Sequence, residues 1–180
     1  METPGGIRCK GRRVLFESRR ERYPDGREAV VDRVFFPDSV AVIPFYSRSC
    51  QVALVKQYRP AIREYLLEAP AGTISEGENP EEAAIRELAE EANLKPSRLE
   101  LVAKGYLSPG YSTEMMHLYI AWDPYPAEGS PEEYELILGV ERVKLAEALE
   151  MVREGSIRDV KTILLIMALV GKVGPGCEGA

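Results

Sequence analysis

Short apolar stretches bounded by turn-forming residues recur along the chain and are typical of β-strands. They fall at residues 13–16, 29–31, 34–36, 40–45, 51–55, 99–105 and 115–122. An apolar period of three to four residues instead predicts helices at 80–92, 145–154 and 160–170, with a frayed end from Gly171. Because helices and strands interleave while hairpin spacings also occur, we expect an α/β (α+β) fold with a mixed β-sheet.

The predicted helix at 80–92 has clear boundaries. Asn79 is a good N-cap and Pro80 suits the first helical position. Asn93 can adopt the left-handed conformation that ends a helix. At the helical period, one arc holds the residues that we expect to be buried. They are Ala84, Ile85, Leu88, Ala89 and Ala92.

Another face of this helix concentrates acidic side chains. Glu87 and Glu91 are four residues apart, and Glu90 lies at the edge of their face, four residues after Arg86. Like charges at this spacing cost a few tenths of a kcal/mol, which a bound divalent cation would reverse. A solvated charged face remains the alternative on these residues alone.

Composition narrows the class of protein. The chain has 180 residues and a net charge of −6, so we expect one domain with at most a small appendage, and no partner that is a nucleic acid. No apolar run is long enough to span a bilayer, and residues 1–6 lack the regions of a signal peptide, so we expect a cytoplasmic protein with no membrane partner.

The cysteines and the number of Gln and Asn residues lead to two further expectations, on disulfides and on thermal stability. Three cysteines, Cys9, Cys50 and Cys177, have no paired spacing, so we expect no disulfide framework. Only four residues are Gln or Asn, a scarcity found in thermophile proteins.

The segment that leads into the acidic helix resembles a known motif. Gly72, Glu78 and the run Arg86-Glu87-Leu88-Ala89-Glu90-Glu91-Ala92-Asn93-Leu94 match the Nudix box, G-x5-E-x7-R-E-U-x-E-E-x-G-U. Asn93 is the single departure, since it stands where the family has glycine. Asparagine is the residue next most tolerant of a left-handed backbone, so the match is hardly weakened.

Flanking segments resemble the ADP-ribose pyrophosphatase subfamily. They are Gln57-Tyr58-Arg59-Pro60, Leu66 to Gly72, Ser108 to Glu114, and Gly155 to Asp159. The resemblance implies a Nudix-type α/β/α sandwich with a small N-terminal antiparallel strand region. It implies hydrolysis of the diphosphate of ADP-ribose to AMP and ribose 5-phosphate, with Mg²⁺ (or Mn²⁺) as cofactor.

The resemblance also assigns site residues. Metal ligands would be Glu87, Glu91 and the carbonyl of Ala71, with Glu90 as a third carboxylate or a bridge to Arg86. Glu78 would order the preceding loop, and Gly72 and Asn93 would be structural. The general base would come from a loop beyond the box, where Glu133 is preferred over Glu132 and Glu135. Substrate would contact Arg59, Arg63 and the loop at Pro109 and Gly110.

The resemblance divides the chain into three parts. Residues 1–36 would form strands used for a homodimer, with Phe16, Tyr23 and Phe36 as candidate contacts. Residues 37–172 would form the Nudix domain, and 173–180 a flexible tail. Two alternatives stay open: a Nudix hydrolase of another nucleotide sugar such as GDP-mannose or of broad range, and a non-catalytic module that binds a nucleotide. Intact acids at Glu87, Glu90 and Glu91 disfavour the second.

Overall fold

The computed structural model describes residues 6–130 and 135–177. Within these residues the chain forms twelve strands and three α-helices. The strands are β1 Ile7–Lys10, β2 Leu15–Arg22, β3 Glu28–Phe35, β4 Ser39–Tyr46, β5 Gln51–Arg59, β6 Glu64–Glu68, β7 Ala71–Thr73, β8 Leu94–Lys95, β9 Arg98–Tyr106, β10 Met115–Trp122, β11 Tyr125–Pro126 and β12 Ile137–Lys144. The helices are α1 Pro80–Ala92, α2 Leu145–Arg153 and α3 Val160–Val173.

The central sheet is mixed, as the sequence predicts. Its main path runs β12-β5-β4-β10-β9, with β6 paired to β5 and β7 paired to β4. Strands β4 and β10 are parallel, whereas the other pairs are antiparallel. A parallel pair requires a long crossover, and the chain between β4 and β10 supplies one that includes α1.

Two neighbouring strands separate in the middle of this sheet. Strands β4 and β5 pair only near Phe45 and Val52. Farther along, β6 and β7 fill the opening, with Glu68 opposite Val55 and Ala71 opposite Ala41. The segment from Glu68 to Gly72 is thereby held at the centre of the sheet, where Ala71 and Gly72 lie against Glu91 and Glu87 of α1.

Helices cover both faces of the sheet, which gives the predicted three-layer sandwich. On one face α1 packs against a cluster that includes Val42, Val55 and Leu88. On the other face α2 and α3 pack against a cluster that includes Ile43, Leu54 and Leu165. Side chains of successive strand residues point to opposite faces, so β4 and β5 contribute to both clusters.

Strands β1, β2 and β3 form a separate antiparallel sheet. It contacts the rest of the protein through the loop before β10. There Val34 donates to the carbonyl of Tyr111, and the amide of Thr113 donates to the carbonyl of Val34. The expected strands at 29–31 and 34–36 are one continuous strand, β3.

Several strands were absent from the sequence interpretation. They are β1, β6, β7, β12 and the short pair β8 and β11. Most are short or half exposed, so their residues alternate weakly between apolar and polar. Pairing with a neighbouring strand, rather than local pattern, determines them.

Two expectations for the C-terminal region are wrong. Helix α3 continues past Gly171 to Val173 and ends at Gly174, whose φ of 75° suits glycine. Cys50 and Cys177 form a disulfide with their Cα atoms 5.7 Å apart, although we expected none. The sequence separation of 127 residues hides this proximity. Residues 173–177 of the predicted flexible tail are thus joined to the core, and 178–180 lie outside the described residues.

No helix in the described part of the chain is both long and apolar enough to cross a membrane.

Candidate functional site

Helix α1 places two carboxylates against the sheet. Its start is fixed by a capping box, in which Asn79 accepts from the amide of Glu82 and Glu82 accepts from the amide of Asn79. Two adjacent stripes of the helix are buried: Ala84, Leu88 and Ala92, and beside them Ala83, Glu87 and Glu91. Compared with the predicted face, the buried face is therefore rotated toward Glu87 and Glu91. We expected Ile85 and Ala89 to be buried, but both are only half-buried.

Gly72 makes room for the first carboxylate. A Cβ atom at this position would lie 2.0 Å from Oε1 and 2.5 Å from Oε2 of Glu87. Any other residue would displace the carboxylate or the strand. The glycine that begins the motif is therefore explained by close approach and not by backbone conformation.

Glu91 is the most deeply buried acid of α1, with 3% of its surface exposed. Its Oε2 accepts a 3.0 Å hydrogen bond from the amide of Ala71. Its Oε1 is buried and has no hydrogen-bond partner among the described residues. A buried carboxylate oxygen without a partner is costly, so this atom is suited to a ligand that supplies positive charge.

Burial changes the proton affinity of both acids. Burial raises the pKa of Glu87 to about 7, although the neighbouring Arg86 opposes the change. Burial, reinforced by the negative charges of Glu135 and Glu87, raises the pKa of Glu91 to about 8. Each carboxyl thus resists ionisation in the protein alone, and a cation would favour the ionised form.

Arg86 organises the surrounding acids. Its guanidinium donates to Glu78 at 2.8 and 2.9 Å, to Glu87 at 2.7 Å and to Glu90 at 2.9 Å. It also donates to the carbonyl of Thr73 at 3.1 Å, which ties the loop before α1 to the helix. The expected pairing of Glu78 and of Glu90 with Arg86 is present.

The carboxylates that could bind a metal are near one another but do not converge on one point. Among the described residues, no group of three or more His, Cys, Asp or Glu side chains converges as a ready metal site. Glu87 and Glu90 are instead bonded to Arg86. The side-chain oxygens still fit a hard divalent ion, because the carboxylates of Glu87 and Glu91 lie on one helix face and Oε1 of Glu91 has no partner within the described part of the chain. Ala71, whose amide bonds the other oxygen of Glu91, lies beside them.

The segment expected to carry the general base is described only in part. Glu132 and Glu133 lie outside the described residues. Glu135 borders a small cavity of about 30 Å³ together with Gly72, Arg86 and Glu87. Its charge acts on both Glu87 and Glu91, so the segment approaches the carboxylate cluster.

A cavity of about 240 Å³ opens beside the carboxylates. Its lining residues include Arg13, Phe36, Arg59, Ala71, Gly72, Thr73, Glu114, Asp159 and Lys161. Arg63 is exposed at a turn with φ of 57°, and Pro109 and Gly110 are exposed in the loop before β10. These three residues are not among the described residues that line this cavity.

Sequence reasoning missed the ionic network on the wall of this cavity. Glu68 is 1% exposed and accepts two hydrogen bonds from Arg59, at 2.8 and 2.7 Å. It also pairs with Lys161, which in turn bonds Asp159 at 2.8 Å. Burial alone would raise the pKa of Glu68, but the hydrogen bonds of Arg59 and Lys161 lower it. An acid within the apolar run 66–69 is the signal that could have revealed the network.

The three-layer fold and the acidic helix together define the Nudix class. A family model described as NUDIX domain matches residues 35–163. The chain therefore belongs to the Nudix family, as its resemblance to the box predicts.

The curated proteins that this chain resembles are named for several different activities. The chain is 31% identical over 147 residues to the ADP-ribose pyrophosphatase of Bacillus subtilis, covering 81% of this chain and 79% of the relative. It is 32% identical over 161 residues to the methanol dehydrogenase activator of Bacillus methanolicus, covering 88% and 86%. It is 37% identical over 141 residues to the GDP-mannose pyrophosphatase of Cronobacter sakazakii, covering 73% of each.

A solved structure confirms the predicted fold. The crystal structure of an ADP compounds hydrolase superposes with a TM-score of 0.80, covering 96% of this chain and 92% of the other at 24% identity.

Proposed function

We propose that this protein is a Nudix hydrolase that uses a divalent cation, Mg²⁺ or Mn²⁺, to split the diphosphate of ADP-ribose into AMP and ribose 5-phosphate. The observation that carries the proposal is the buried pair Glu87 and Glu91. Both are nearly inaccessible, both have a raised pKa, and one oxygen of Glu91 lacks a partner within residues 6–130 and 135–177. Burial of carboxylates costs free energy, and such groups are typical of sites where a bound ligand offsets that cost.

The ligand residues would be Glu87, Glu91 and the carbonyl of Ala71, with Glu90 close by. When bound there, a divalent ion neutralises the diphosphate and activates water. Arg86 keeps Glu87 and Glu90 in place through direct hydrogen bonds. Gly72 lets the backbone approach Glu87 without a side chain between them.

The reaction adds one water across one phosphoanhydride bond. The water oxygen bonds to one phosphorus, the bond from that phosphorus to the bridging oxygen breaks, and the bridging oxygen leaves with the other phosphate. A carboxylate of this chain takes the proton of the water. We propose Glu133 for this role, with Glu132 and Glu135 as alternatives, and the position of Glu135 beside Glu87 supports a base from this segment.

The wall of the larger cavity supplies the positive charge for the substrate. Arg59 lines the cavity, with about a third of its side chain exposed, and is held in one orientation by two hydrogen bonds to Glu68. A planar guanidinium held this way can pair with a phosphate. Arg63, Pro109 and Gly110 remain proposed substrate contacts of the surrounding loops.

The direct test is AMP release from ADP-ribose with Mg²⁺, compared with Glu91→Gln. We expect loss of most activity with retained folding, because the substitution removes a ligand charge and relieves repulsion with Glu87. Glu76→Gln, at an exposed acid in the same motif, is the matched control and should be fully active. Full activity of Glu91→Gln would refute the ligand assignment. Unchanged turnover of Glu133→Gln would move the base to Glu132 or Glu135.

Substrate choice is tested in the same assay. GDP-mannose is the second candidate, because a relative with that named activity is 37% identical. ADP-ribose should give the higher kcat/KM, and preference for GDP-mannose would replace the proposed substrate. Absence of hydrolysis with ADP-ribose, GDP-mannose and NADH would favour the non-catalytic nucleotide-binding module, an alternative that the activator-named relative raises.

We also infer that residues 1–36 belong to a homodimer contact and that the protein is cytoplasmic. The β1–β3 sheet exposes Ile7 and Val30, at 59% and 65%, and the turn between β2 and β3 exposes Tyr23, at 38%. Sedimentation of the wild type should give twice the chain mass, and Val30→Arg should reduce it to one chain. A wild type that sediments as a single chain would contradict the inference.

A further inference from the structure

The segment after β10 folds back onto the C-terminal end of α1. Strand β11 pairs with β8, with Tyr125 opposite Lys95 and Pro126 opposite Leu94. The amide of Ala127 donates to the carbonyl of Asn93 at 2.9 Å. These bonds bring the start of the connection between β11 and β12 against the helix that carries the carboxylates.

Asn93 makes a second bond to this segment with its side chain. Its Oδ1 accepts a 3.1 Å hydrogen bond from the amide of Gly129. The backbone of Asn93 is left-handed, with φ of 54° and ψ of 41°, and its amide donates to the carbonyls of Ala89 and Leu88. Glycine would end the helix in the same conformation, but only a residue with a side-chain acceptor can hold Gly129.

Gly129 lies directly on the helix backbone. A Cβ atom at Gly129 would be 1.9 Å from the carbonyl oxygen of Ala89 and 2.9 Å from the amide nitrogen of Glu90. The segment is therefore in contact with α1 at the turn that contains Glu90 and Glu91. The contact and the hydrogen bond to Asn93 are two independent restraints on one residue.

The far end of the same connection is also fixed. The amide of Tyr58 donates to the carbonyl of Leu136 at 2.9 Å, and Ile137 lies opposite Gln57 on β5. Glu135 precedes this attachment and borders the cavity that Glu87 also lines. Because Gly129 and Glu135 are close in the chain, restraint at Gly129 limits the positions that Glu135 can reach.

We propose that Asn93, at the glycine position of the motif, is a positioning residue whose side chain holds Gly129 against α1 and thereby restrains the position of Glu135 beside Glu87. This inference rests on the proposed hydrolase function for its catalytic consequence. The physical role is distinct from helix capping, which the backbone of Asn93 performs by itself.

Two substitutions separate positioning from stability. Asn93→Gly keeps the left-handed cap and removes the acceptor, so the melting temperature should change little while kcat for ADP-ribose falls about fivefold with KM nearly unchanged. Asn93→Asp keeps an acceptor but places a negative charge at the C-terminal end of α1. It should lower the melting temperature and yet retain kcat within about twofold of wild type.

Hydrogen exchange of the Gly129 amide, followed by NMR, measures the hydrogen bond to Asn93 without any substrate. Asn93→Gly should accelerate this exchange about fivefold or more, and Asn93→Asp should not. Wild-type kcat and unaltered Gly129 exchange in Asn93→Gly would overturn the inference, as would equal losses of kcat in the two variants. If the wild type hydrolyses none of the substrates, the proposed function fails. The amide exchange of Gly129 in Asn93→Gly still tests the anchor: faster exchange supports it, and unchanged exchange contradicts it.

Discussion

The amide of Ala71 donates to Oε2 of Glu91 at 3.0 Å, while Oε1 of the same carboxylate is buried and has no partner in the part of the chain that the structure describes. One oxygen of Glu91 is thus satisfied by the central sheet, at the point where β4 and β5 separate. The other oxygen is the atom at which we propose that a cation binds. The same burial raises the pKa of Glu91, so the position of Ala71 in the fold affects both proton and cation binding.

Stability without divalent ions should fall as pH rises. The pKa values of Glu87 and Glu91, about 7 and about 8, lie above their ordinary value of 4.5. Between pH 4.5 and 8 the folded protein therefore holds protons that the unfolded chain has released, so the free energy of unfolding decreases through this window. Thermal melting in EDTA at pH 6 and pH 8.5 measures the effect, and Glu91→Gln should reduce it.

Added Mg²⁺ should stabilise the protein more at pH 8.5 than at pH 6. The ion competes with protons for Glu87 and Glu91, so its apparent affinity rises as these groups ionise. The measurement is the increase in melting temperature on adding millimolar Mg²⁺ at each pH. An equal increase at both values, or one retained in Glu91→Gln, would place the ion elsewhere.

Gly72→Ala should damage the site more than the fold. Its Cβ would lie 2.0 Å from Oε1 of Glu87, so the carboxylate must move, at a cost of about 1–3 kcal/mol. Displacement of a ligand group by this much should lower kcat/KM about a hundredfold. Gly105→Ala is the matched control, because a Cβ there has no neighbour within 4 Å. Comparable losses in both variants would show that the close approach at Gly72 is unimportant.

Glu68→Gln should weaken substrate binding. The substitution leaves Arg59 and Lys161 without their shared carboxylate, so the guanidinium loses the two hydrogen bonds that orient it. We expect KM for ADP-ribose to rise about tenfold with a smaller change in kcat. Glu64→Gln, on the same strand but exposed, should leave KM unchanged. A fall in kcat alone would place Glu68 in the chemical step instead.

Local chemistry made part of this structure predictable. Asn79, Pro80 and Asn93 indicated the ends of α1, and the interleaved helix and strand patterns indicated the mixed sheet, because capping and periodicity act within a few residues. The pairing of Arg86 with Glu78 and Glu90 was also predictable, since all three belong to one helix and its leading loop.

Long-range proximity made the rest unpredictable. The burial of Glu87 and Glu91 depends on the separation of β4 from β5, which brings Ala71 and Gly72 to the helix. The network of Glu68 and Lys161 joins residues 93 positions apart. The bond from Gly129 to Asn93 requires the chain to return after β10. None of these contacts leaves a periodic pattern.

The disulfide between Cys50 and Cys177 should be a major source of stability. It closes a loop of 127 residues and attaches the end of α3 to the start of β5, so it restricts the unfolded chain. Its loss should cost about 3–5 kcal/mol, which corresponds to roughly 10 °C in melting temperature.

Cys177→Ser should show this loss, and a reductant should reproduce it in the wild type. Cys9 is exposed and free, so Cys9→Ser is the control. If Cys177→Ser and reductant both leave the melting temperature unchanged, the disulfide is not formed in solution. The scarcity of Gln and Asn would then be the main feature that this chain shares with thermophile proteins.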